Sequence, residues 1–175
     1  MSGICIVSGT NRKESKTYQI ANIYQQVLIE RGITSELLDL VDLPHEFAYI
    51  ALNDRSSEVL NTLIQKYVQP YQKFIFISPE YNGSFPGILK VFLDAVPPKF
   101  WTDKKSALVG VSDGRAGNLR GMEHLTNILN HLKINVYHHK IPVSQVSKIL
   151  EEETGVLKGD LKNLFLRQSE GLINF

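Results

Sequence analysis

Short runs of strand-forming residues alternate along this chain with longer segments in which apolar residues recur every three or four positions. The first pattern predicts buried strands and the second predicts amphipathic helices. The predicted strands cover residues 3–8, 34–40, 73–78, 105–112 and 134–138. The predicted helices cover residues 15–31, 56–68, 84–96, 119–132 and 157–172. Residues 44–55 carry neither pattern and are predicted to form a loop.

Five strands separated by helices predict one α/β domain over residues 1–175, because a helical crossover brings successive strands into parallel pairing. Right-handed crossovers that cover both faces make such a sheet doubly wound. Because a ligand-type loop directly follows the first strand, we expect a five-stranded parallel sheet with the flavodoxin-type order 2-1-3-4-5.

The composition narrows the range of partners. The 175 residues carry a formal net charge of +1, with acids and bases interspersed. A sequence with this charge balance shows none of the excess of basic residues that is typical of proteins that bind nucleic acid or an anionic membrane surface. No apolar run approaches the roughly 20 residues of a membrane span, and no secretory leader pattern is present. We therefore expect a cytoplasmic protein without membrane insertion.

Cysteine and histidine give no indication of a metal centre. Cys5 is the only cysteine, so no intrachain disulfide can form, and its apolar surroundings predict a buried strand residue. His138 and His139 are neighbours at the end of a predicted strand, where adjacent side chains point to opposite faces. We expect both histidines to be structural or surface residues, and no metal site.

The loop after the first strand carries the chemistry of a phosphate site. It offers the hydroxyls of Thr10, Ser15 and Thr17, the guanidinium of Arg12 and a helix that begins near Ser15. Hydroxyls, arginine and free backbone N–H groups together suit a phosphate. The alternative is a capped helix beside a solvated charge cluster.

Two nucleotide-binding motifs are excluded by this loop. A P-loop has the pattern G-x-x-x-x-G-K-[ST]. Counted from Gly9, the second glycine is missing here, and Lys16 lies one position beyond the place of the P-loop lysine. The G-x-G-x-x-G fingerprint of dinucleotide-binding sheets is absent as well. A monophosphate held by side chains and amides fits the loop better.

The loop after the third strand supplies amides and shape. Asn82-Gly83 reaches positive φ without strain, and Ser84 followed by Pro86 is typical of a helix start. Amides of residues 81–84 would bind the polar edge of a flat heterocycle. Glycines at 114 and 117 let the backbone of the next loop approach closely, unless these glycines only form turns. A phosphate at one end and a planar polar ring at the other describe FMN.

Three motifs in order make the sequence recognisable. They are Gly9-Thr10-Asn11-Arg12-x-x-Ser15, then Pro79-Glu80-Tyr81-Asn82-Gly83-Ser84-Phe85-Pro86-Gly87, and finally Ser112-Asp113-Gly114-Arg115-x-Gly117. Over residues 3–146 the chain resembles the NADPH-dependent FMN reductase family, which has the flavodoxin-like fold and includes quinone, azo and chromate reductases.

The resemblance implies three sets of cofactor-binding residues. The FMN phosphate would be held by Thr10, Arg12, Ser15 and Thr17. One side of the isoalloxazine would be bordered by Pro79, Glu80, Tyr81, Asn82, Gly83 and Ser84. The other side would be bordered by Ser112, Gly114 and Gly117, with Arg115 also in the cofactor-binding set. Apart from the resemblance, Arg115 and Arg120 are candidates to meet phosphates of the nicotinamide cofactor if FMN binds, although exposed arginines at a helix start are the commoner explanation.

The resemblance also implies an activity and an assembly. NADPH or NADH would reduce bound FMN, and a small acceptor such as a quinone, free flavin, azo compound or metal oxyanion would take the electrons. No side chain need be catalytic. The strongly apolar helix at 84–96, together with the family's habit of assembling, predicts a homodimer or homotetramer. The alternatives are a flavodoxin-like electron carrier and a flavin-free binding protein of the same fold.

Departures from the family pattern occur at three places. Thr17 stands where the family often has asparagine, and Asn118 replaces a frequent glycine. Residues 95–98, Ala-Val-Pro-Pro, replace the usual aspartate-tryptophan continuation. These positions bear on the phosphate contacts and on the surface beside the cofactor.

Overall fold

The structure, a computed structural model, describes residues 3–53, 57–152 and 155–175. Its strands are β1 (Ile4–Ser8), β2 (Ser35–Asp39), β3 (Lys73–Pro79), β4 (Lys105–Val111), β5 (Asn135–Val136) and β6 (Ile141–Val143). Its α-helices are α1 (Lys16–Glu30), α2 (Phe47–Asn53), α3 (Glu58–Leu63), α4 (Gly87–Ala95), α5 (Leu119–His131), α6 (Val146–Glu151) and α7 (Val156–Asn174). A π-helical turn, Ile64–Val68, extends α3. Short 3-10 turns lie at Leu40–Asp42, after β2, and at Pro98–Phe100, after α4.

The sheet is parallel throughout and has the order β2-β1-β3-β4-β5, with β6 also paired to β4. The predicted order 2-1-3-4-5 is therefore confirmed. In this topology the loops that follow β1, β3 and β4 meet at the carboxyl edge of the sheet, beside the point where the strand order reverses.

Each face of the sheet is covered by its own helices. Successive residues of a strand point to opposite faces, so Cys5 and Val7 belong to one apolar core while Ile4 and Ile6 belong to the other. The first core includes residues of α3, α4 and α5, and the second includes residues of α1 and α7. Cys5 is fully buried, and burial raises the pKa of its thiol far above the usual range.

Two predictions between β2 and α4 are corrected. Residues 47–53 form α2 instead of a loop, with Phe47 buried in the core; Asp54 and Arg55 lie outside the described residues. The helix expected from Ser84 begins only at Gly87, after the N-cap position Pro86. Ser84 does not cap that helix, because it belongs to the preceding turn, where its N–H donates to the carbonyl of Tyr81.

The last part of the sheet also differs from prediction. The expected strand over residues 134–138 is only Asn135–Val136, and a second segment, Ile141–Val143, pairs with β4 further along. The amide of Gln168 on α7 fills the gap between them by donating to the carbonyls of Leu108 and His139. The short helix α6 was not predicted.

Lys104, directly before β4, is buried and donates from Nζ to the carbonyls of Val68 and Tyr71. Burial lowers the pKa of its ammonium group. In the part of the chain that the structure describes, no helix has the length and apolar character needed to cross a membrane.

Candidate functional site: a cleft at the carboxyl edge

A cleft of about 710 Å³ lies where the loops after β1, β3 and β4 converge. Its size is within the range of small-molecule and cofactor sites. It is lined by Arg12, Lys13, Glu14, Ser15, Lys16, Thr17, Pro79, Glu80, Tyr81, Asn82, Gly83, Val111, Ser112, Asp113, Gly114 and Val146. All three loops singled out in the sequence therefore contribute to a single cleft.

Most of the residues predicted to bind the cofactor line this cleft. Those that do are Arg12, Ser15, Thr17, Pro79, Glu80, Tyr81, Asn82, Gly83, Ser112 and Gly114. The lining does not include Thr10, Ser84, Arg115 or Gly117. Each of these four has another contact in the structure, described below, and direct cofactor binding by any of the fourteen stays a prediction.

The start of α1 forms the end of the cleft that suits an anion. Ser15 is the N-cap, and its Oγ accepts a hydrogen bond of 3.1 Å from the backbone N–H of Tyr18. Within the described residues, the N–H groups of Lys16 and Thr17 have no hydrogen-bond acceptor, as expected for a first helical turn. No acidic residue lies in that turn, so the positive end of the helix dipole is not neutralised there.

The loop after β3 is a tight hairpin turn. Tyr81 and Ser84 exchange both of their backbone hydrogen bonds, while Asn82 and Gly83 adopt φ of +51° and +78° between them. Consecutive positive φ values are what a type I′ turn demands and what Asn-Gly favours. The expectation that all four amides face the ring is corrected, because those of Tyr81 and Ser84 are used within the turn. Only those of Asn82 and Gly83 remain open.

Thr10 is a buried residue that contacts Tyr81, one of the residues that line the cleft. It is fully buried, and its Oγ1 lies 2.6 Å from the Tyr81 hydroxyl and accepts from the N–H of Arg12 at 3.3 Å. The guanidinium of Arg12 in turn lies over the Tyr81 ring, with Cζ 4.2 Å from the ring centroid. Thr10 thus connects the loop after β1 to the hairpin turn. Together with Arg12 it holds the Tyr81 ring in place.

Gly117 and Asn118 shape the loop after β4. Gly117 has φ of +56° and packs so tightly on Pro142 that a β-carbon would lie 2.7 Å from it. Asn118 adopts φ of +61° and donates from Nδ2 to the carbonyl of Ser78. Asparagine tolerates this left-handed conformation, which explains how it can stand where the resembled family often has glycine. These contacts make Gly117 a packing residue outside the cleft.

An ion pair that the sequence did not predict closes one side of the cleft. Nζ of Lys16 lies 2.7 Å from Oδ2 of Asp113, and Asp113 also accepts hydrogen bonds from the backbone N–H and the hydroxyl of Ser147. The ammonium of Lys16, followed by Ser147, lowers the pKa of the Asp113 carboxyl to about 2. Lys16 also donates to the Ser147 hydroxyl.

Helix α5 contacts the outer side of the hairpin turn. Oγ of Ser84 lies 2.9 Å from Nδ1 of His124. The guanidinium of Arg120 covers Gly83 so closely that a β-carbon there would lie 2.7 Å from Nη1. Arg115, at the preceding loop, is exposed, and its carbonyl accepts a hydrogen bond from the Ser144 hydroxyl.

Most of the chain matches a known protein family. The sequence model described as NADPH-dependent FMN reductase matches residues 3–148. The chain belongs to the NADPH-dependent FMN reductase family. The match includes all three loops that form the cleft, so the resemblance seen in their motifs is confirmed.

This chain covers different shares of the lengths of the relatives that it matches. An NAD(P)H:quinone oxidoreductase of Solanum tuberosum is 30% identical over 132 residues, which are 73% of this chain and 66% of that protein. The match thus spans slightly less than two thirds of the potato protein. An NAD(P)H-dependent FMN reductase of Pseudomonas aeruginosa is 25% identical over 173 residues, covering 95% of this chain and 90% of that protein.

Solved structures support the fold. The apo form of an NADH:FMN oxidoreductase superposes with a TM-score of 0.74 at 18% identity, covering 98% of this chain and 90% of that chain. At this identity the likeness extends to the fold alone.

The residues of the cleft fit the cofactor after which the FMN reductase family is named. A phosphate suits the open N–H groups of α1 and the exposed cations Arg12 and Lys13. A flat ring suits the space beside Gly114, where even a β-carbon would meet only Oγ of Ser112, at 3.6 Å. Within the described residues, no group of three or more histidine, cysteine, aspartate or glutamate side chains could hold a metal ion.

Proposed function

We propose that this chain is an NAD(P)H-dependent flavin oxidoreductase that holds FMN in the carboxyl-edge cleft and passes electrons to a small acceptor. The observation that carries the proposal is the convergence of three features on one cleft of cofactor size. They are an open helix N-terminus, cations that have no carboxylate partner in the part of the chain that the structure describes, and a turn with open amides. Membership of the FMN reductase family, and relatives named as quinone and FMN reductases, support the same activity.

The phosphate end of the proposed site uses α1 and the loop before it. The N–H groups of Lys16 and Thr17 donate to the anion, and the guanidinium of Arg12 neutralises it. Ser15 keeps the helix start in place by capping it. Thr17 and Ser15 add hydroxyls at the wall of the cleft.

The ring end of the proposed site uses the hairpin turn and the loop after β4. Open amides at Asn82 and Gly83 donate to polar edge atoms, and Tyr81, held by Thr10, forms a rigid wall. Gly114 leaves room for a planar group. FMN supplies the chemistry when bound, because it accepts hydride from a reduced nicotinamide and returns electrons to an acceptor. No protein nucleophile is needed.

The activity is tested by spectroscopy on the purified full-length chain. We expect titration with FMN to give a saturable change in flavin absorbance or fluorescence, and addition of NADPH to bleach the bound flavin. Re-oxidation by a quinone should complete the cycle. Rapid turnover supports the enzyme, whereas reduction only by a partner protein would favour an electron carrier. A chain that fails to bind FMN would overturn the proposal.

We also propose that the chain forms a homodimer or homotetramer. Helix α4 leaves Ile88 and Val91 half-buried, and the neighbouring α2 carries Tyr49 with 72% of its surface exposed. Apolar area of this kind on adjacent helices suits a second copy of the chain. Static light scattering at micromolar concentration measures the mass, and a monomer would contradict the proposal.

A single domain over residues 1–175 and a cytoplasmic location complete the proposal. The alternation of strand and helix along the chain supports one domain, and the lone buried Cys5 suits a reducing compartment. Limited proteolysis and cell fractionation test these two statements. Early cleavage into two stable fragments, or recovery with membranes, would contradict them.

A further inference from the structure

The proposed FMN site leaves unused two arginines that are near its lining residues in the chain or in space: Arg115 directly follows Gly114, and Arg120 contacts Gly83. Arg120 lies in the first turn of α5 and Arg115 in the loop before it, and both side chains are exposed. Among the described residues, the ion pairs involve five lysines and no arginine. Neither guanidinium therefore has a carboxylate partner in that part of the chain.

Arg120 reaches the rim of the cleft itself. Its Nη1 would lie 2.7 Å from a β-carbon at Gly83, and Gly83 lines the cleft. The guanidinium thus covers the outer side of the hairpin turn, while Arg12 and Lys13 lie on the opposite loop. One turn along α5, His124 contacts Ser84 of the same hairpin at 2.9 Å.

The charge of this rim is not cancelled by its own helix. The first turn of α5 contains no acidic residue, and Glu123 is paired with Lys140 at 2.6 Å. Leu119, beside Arg120, has 52% of its surface exposed, so no part of the described chain covers this face. Although Glu80 and Asp113 line the cleft, the guanidinium of Arg120 is an exposed cation beside the hairpin turn with no carboxylate partner among the described residues.

Two phosphate-bearing molecules must enter the cleft if the proposed function holds. The loop after β1 serves the phosphate of FMN, and a nicotinamide dinucleotide brings phosphates of its own. We propose that Arg120, assisted by Arg115, binds a phosphate group of the nicotinamide dinucleotide at the hairpin rim, an inference that rests on the proposed function. A planar guanidinium with paired donors suits a phosphate better than a lysine does.

The decisive variant is Arg120→Gln, which keeps a polar side chain beside Gly83 but shortens it and removes its charge. Binding of NADP⁺ to the FMN-loaded protein, measured by calorimetry, should weaken about 10-fold, the equivalent of one charge-assisted hydrogen bond. KM for NADPH should rise by a similar factor with kcat retained, and the Kd for FMN should not change. Arg120→Lys should recover part of the affinity, because it restores the charge without the fork.

Matched controls separate this effect from general loss of charge. Arg31→Gln removes an exposed arginine at the opposite edge of the sheet and should leave NADP⁺ affinity unchanged. Arg115→Gln should weaken NADP⁺ binding less than Arg120→Gln does. The wild-type chain should lose NADP⁺ affinity with rising salt more steeply than Arg120→Gln.

Repeating the KM measurement with NADH, which lacks the 2′-phosphate, shows whether Arg120 binds that phosphate or the pyrophosphate. A loss confined to NADPH assigns Arg120 to the 2′-phosphate, and an equal loss with NADH assigns it to the pyrophosphate; both results support a phosphate contact. Unchanged NADP⁺ affinity in Arg120→Gln would overturn the inference, as would a weakened Kd for FMN or a changed mass in light scattering without a change in NADP⁺ affinity. A wild-type chain that binds no FMN would instead overturn the proposed function.

Discussion

The two edges of the sheet both contain cavities and cations, but they use them differently. At the amino edge, a cavity of about 490 Å³ is lined by Gly3, Arg31, Lys73 and Ile173 among others. There Nζ of Lys73 donates to the carbonyl of Ile173, near the end of α7. Lys104 donates in the same way to the carbonyl of Val68, at the end of the π-helical turn, and to that of Tyr71 beyond it. Two of the lysines at this edge thus satisfy backbone acceptors of the chain itself.

At the carboxyl edge, most of the cationic side chains form no ion pair with a described residue. Lys16 is paired with Asp113, but Arg12, Lys13, Arg115 and Arg120 have no carboxylate partner among the described residues. The reason lies in the topology, because crossover helices run antiparallel to the strands and point their N-termini at this edge. At the amino edge, carbonyls at helix C-termini accept hydrogen bonds from the chain's own lysines. At the carboxyl edge, the N–H groups at helix N-termini are available to bind an anion from outside the chain. Arg31 at the amino edge also has no carboxylate partner among the described residues, so the open N–H groups of α1 distinguish the two cavities better than charge or volume does.

Removal of Arg12 should produce the largest effect at the carboxyl edge. Among the described residues, Arg12 supplies the only guanidinium in the lining of the cleft. Arg12→Ala removes it, so FMN affinity should fall about 10- to 100-fold, as expected for a lost charge-assisted hydrogen bond. A fluorescence titration with FMN measures the change. Arg31→Ala, at the amino edge, is the matched control and should leave FMN affinity intact. Equal affinities in Arg12→Ala and the wild type would remove Arg12 from the phosphate site.

Removal of Lys104 should affect stability instead of binding. Lys104→Met keeps an apolar stem near Phe74 but leaves the carbonyls of Val68 and Tyr71 without their donor. We expect a loss of about 2 kcal/mol in the free energy of unfolding, the scale of hydrogen bonds to a charged group. Urea denaturation measures it, and Lys148→Met, on the exposed face of α6, is the control. A large loss of FMN affinity in folded Lys104→Met would contradict the prediction that Lys104, at the amino edge, affects stability and not binding.

The sequence predicted the parts of the fold that depend on local pattern. The unbroken run Phe74–Ile77 identifies a strand buried on both faces, and Ser15 before a periodic segment identifies a capped helix. Helix α2 was missed because it is short and only its tertiary contacts, such as that of Phe47 with the core, stabilise it. The predicted sheet order followed from the number of strands, their helical crossovers and the ligand-type loop directly after the first strand.

The site was predictable in its loops but not in its pairings. Three motifs identified the loops, because glycines, hydroxyls and arginine are visible in sequence. The Lys16–Asp113 ion pair joins residues 97 positions apart, and no local pattern indicates which acid meets which base. The same limit hid the contact of Thr10 with Tyr81, which lies 71 positions away and directs the Thr10 hydroxyl into the protein instead of the cleft.

A double-mutant cycle on Thr10 and Tyr81 tests whether Thr10 acts through the Tyr81 ring. Thr10→Val and Tyr81→Phe each remove one partner of a hydrogen bond, so each should lower FMN affinity by roughly fivefold, equivalent to about 1 kcal/mol. If Thr10 only positions the ring, the double variant should be no weaker than either single variant. Fluorescence titration of all four proteins measures the coupling. Additive losses would show instead that Thr10 contacts the phosphate directly, as the family resemblance implies.

The smallest effect should come from Asp113, whose ion pair is largely exposed. Its pKa is lowered to about 2, chiefly by Lys16, so the carboxylate stabilises the folded state fully above the ordinary pKa of an aspartate. That contribution is lost as the pH falls from about 4 towards 2. Solvent screening limits it to less than about 1 kcal/mol.

Asp113→Asn should therefore be less stable than the wild type at neutral pH, and the difference should shrink through this acidic range. Urea denaturation at several pH values measures it, with Asp160→Asn, an exposed carboxylate on α7, as the control. Lys16→Met should abolish most of the pH dependence, because the ammonium is its main cause. A difference that stays constant down to about pH 2 would mean that the Asp113 carboxyl is not stabilised by Lys16 in solution. Lys16 would then count among the unpaired cations of the carboxyl edge, which would sharpen the contrast with the amino edge.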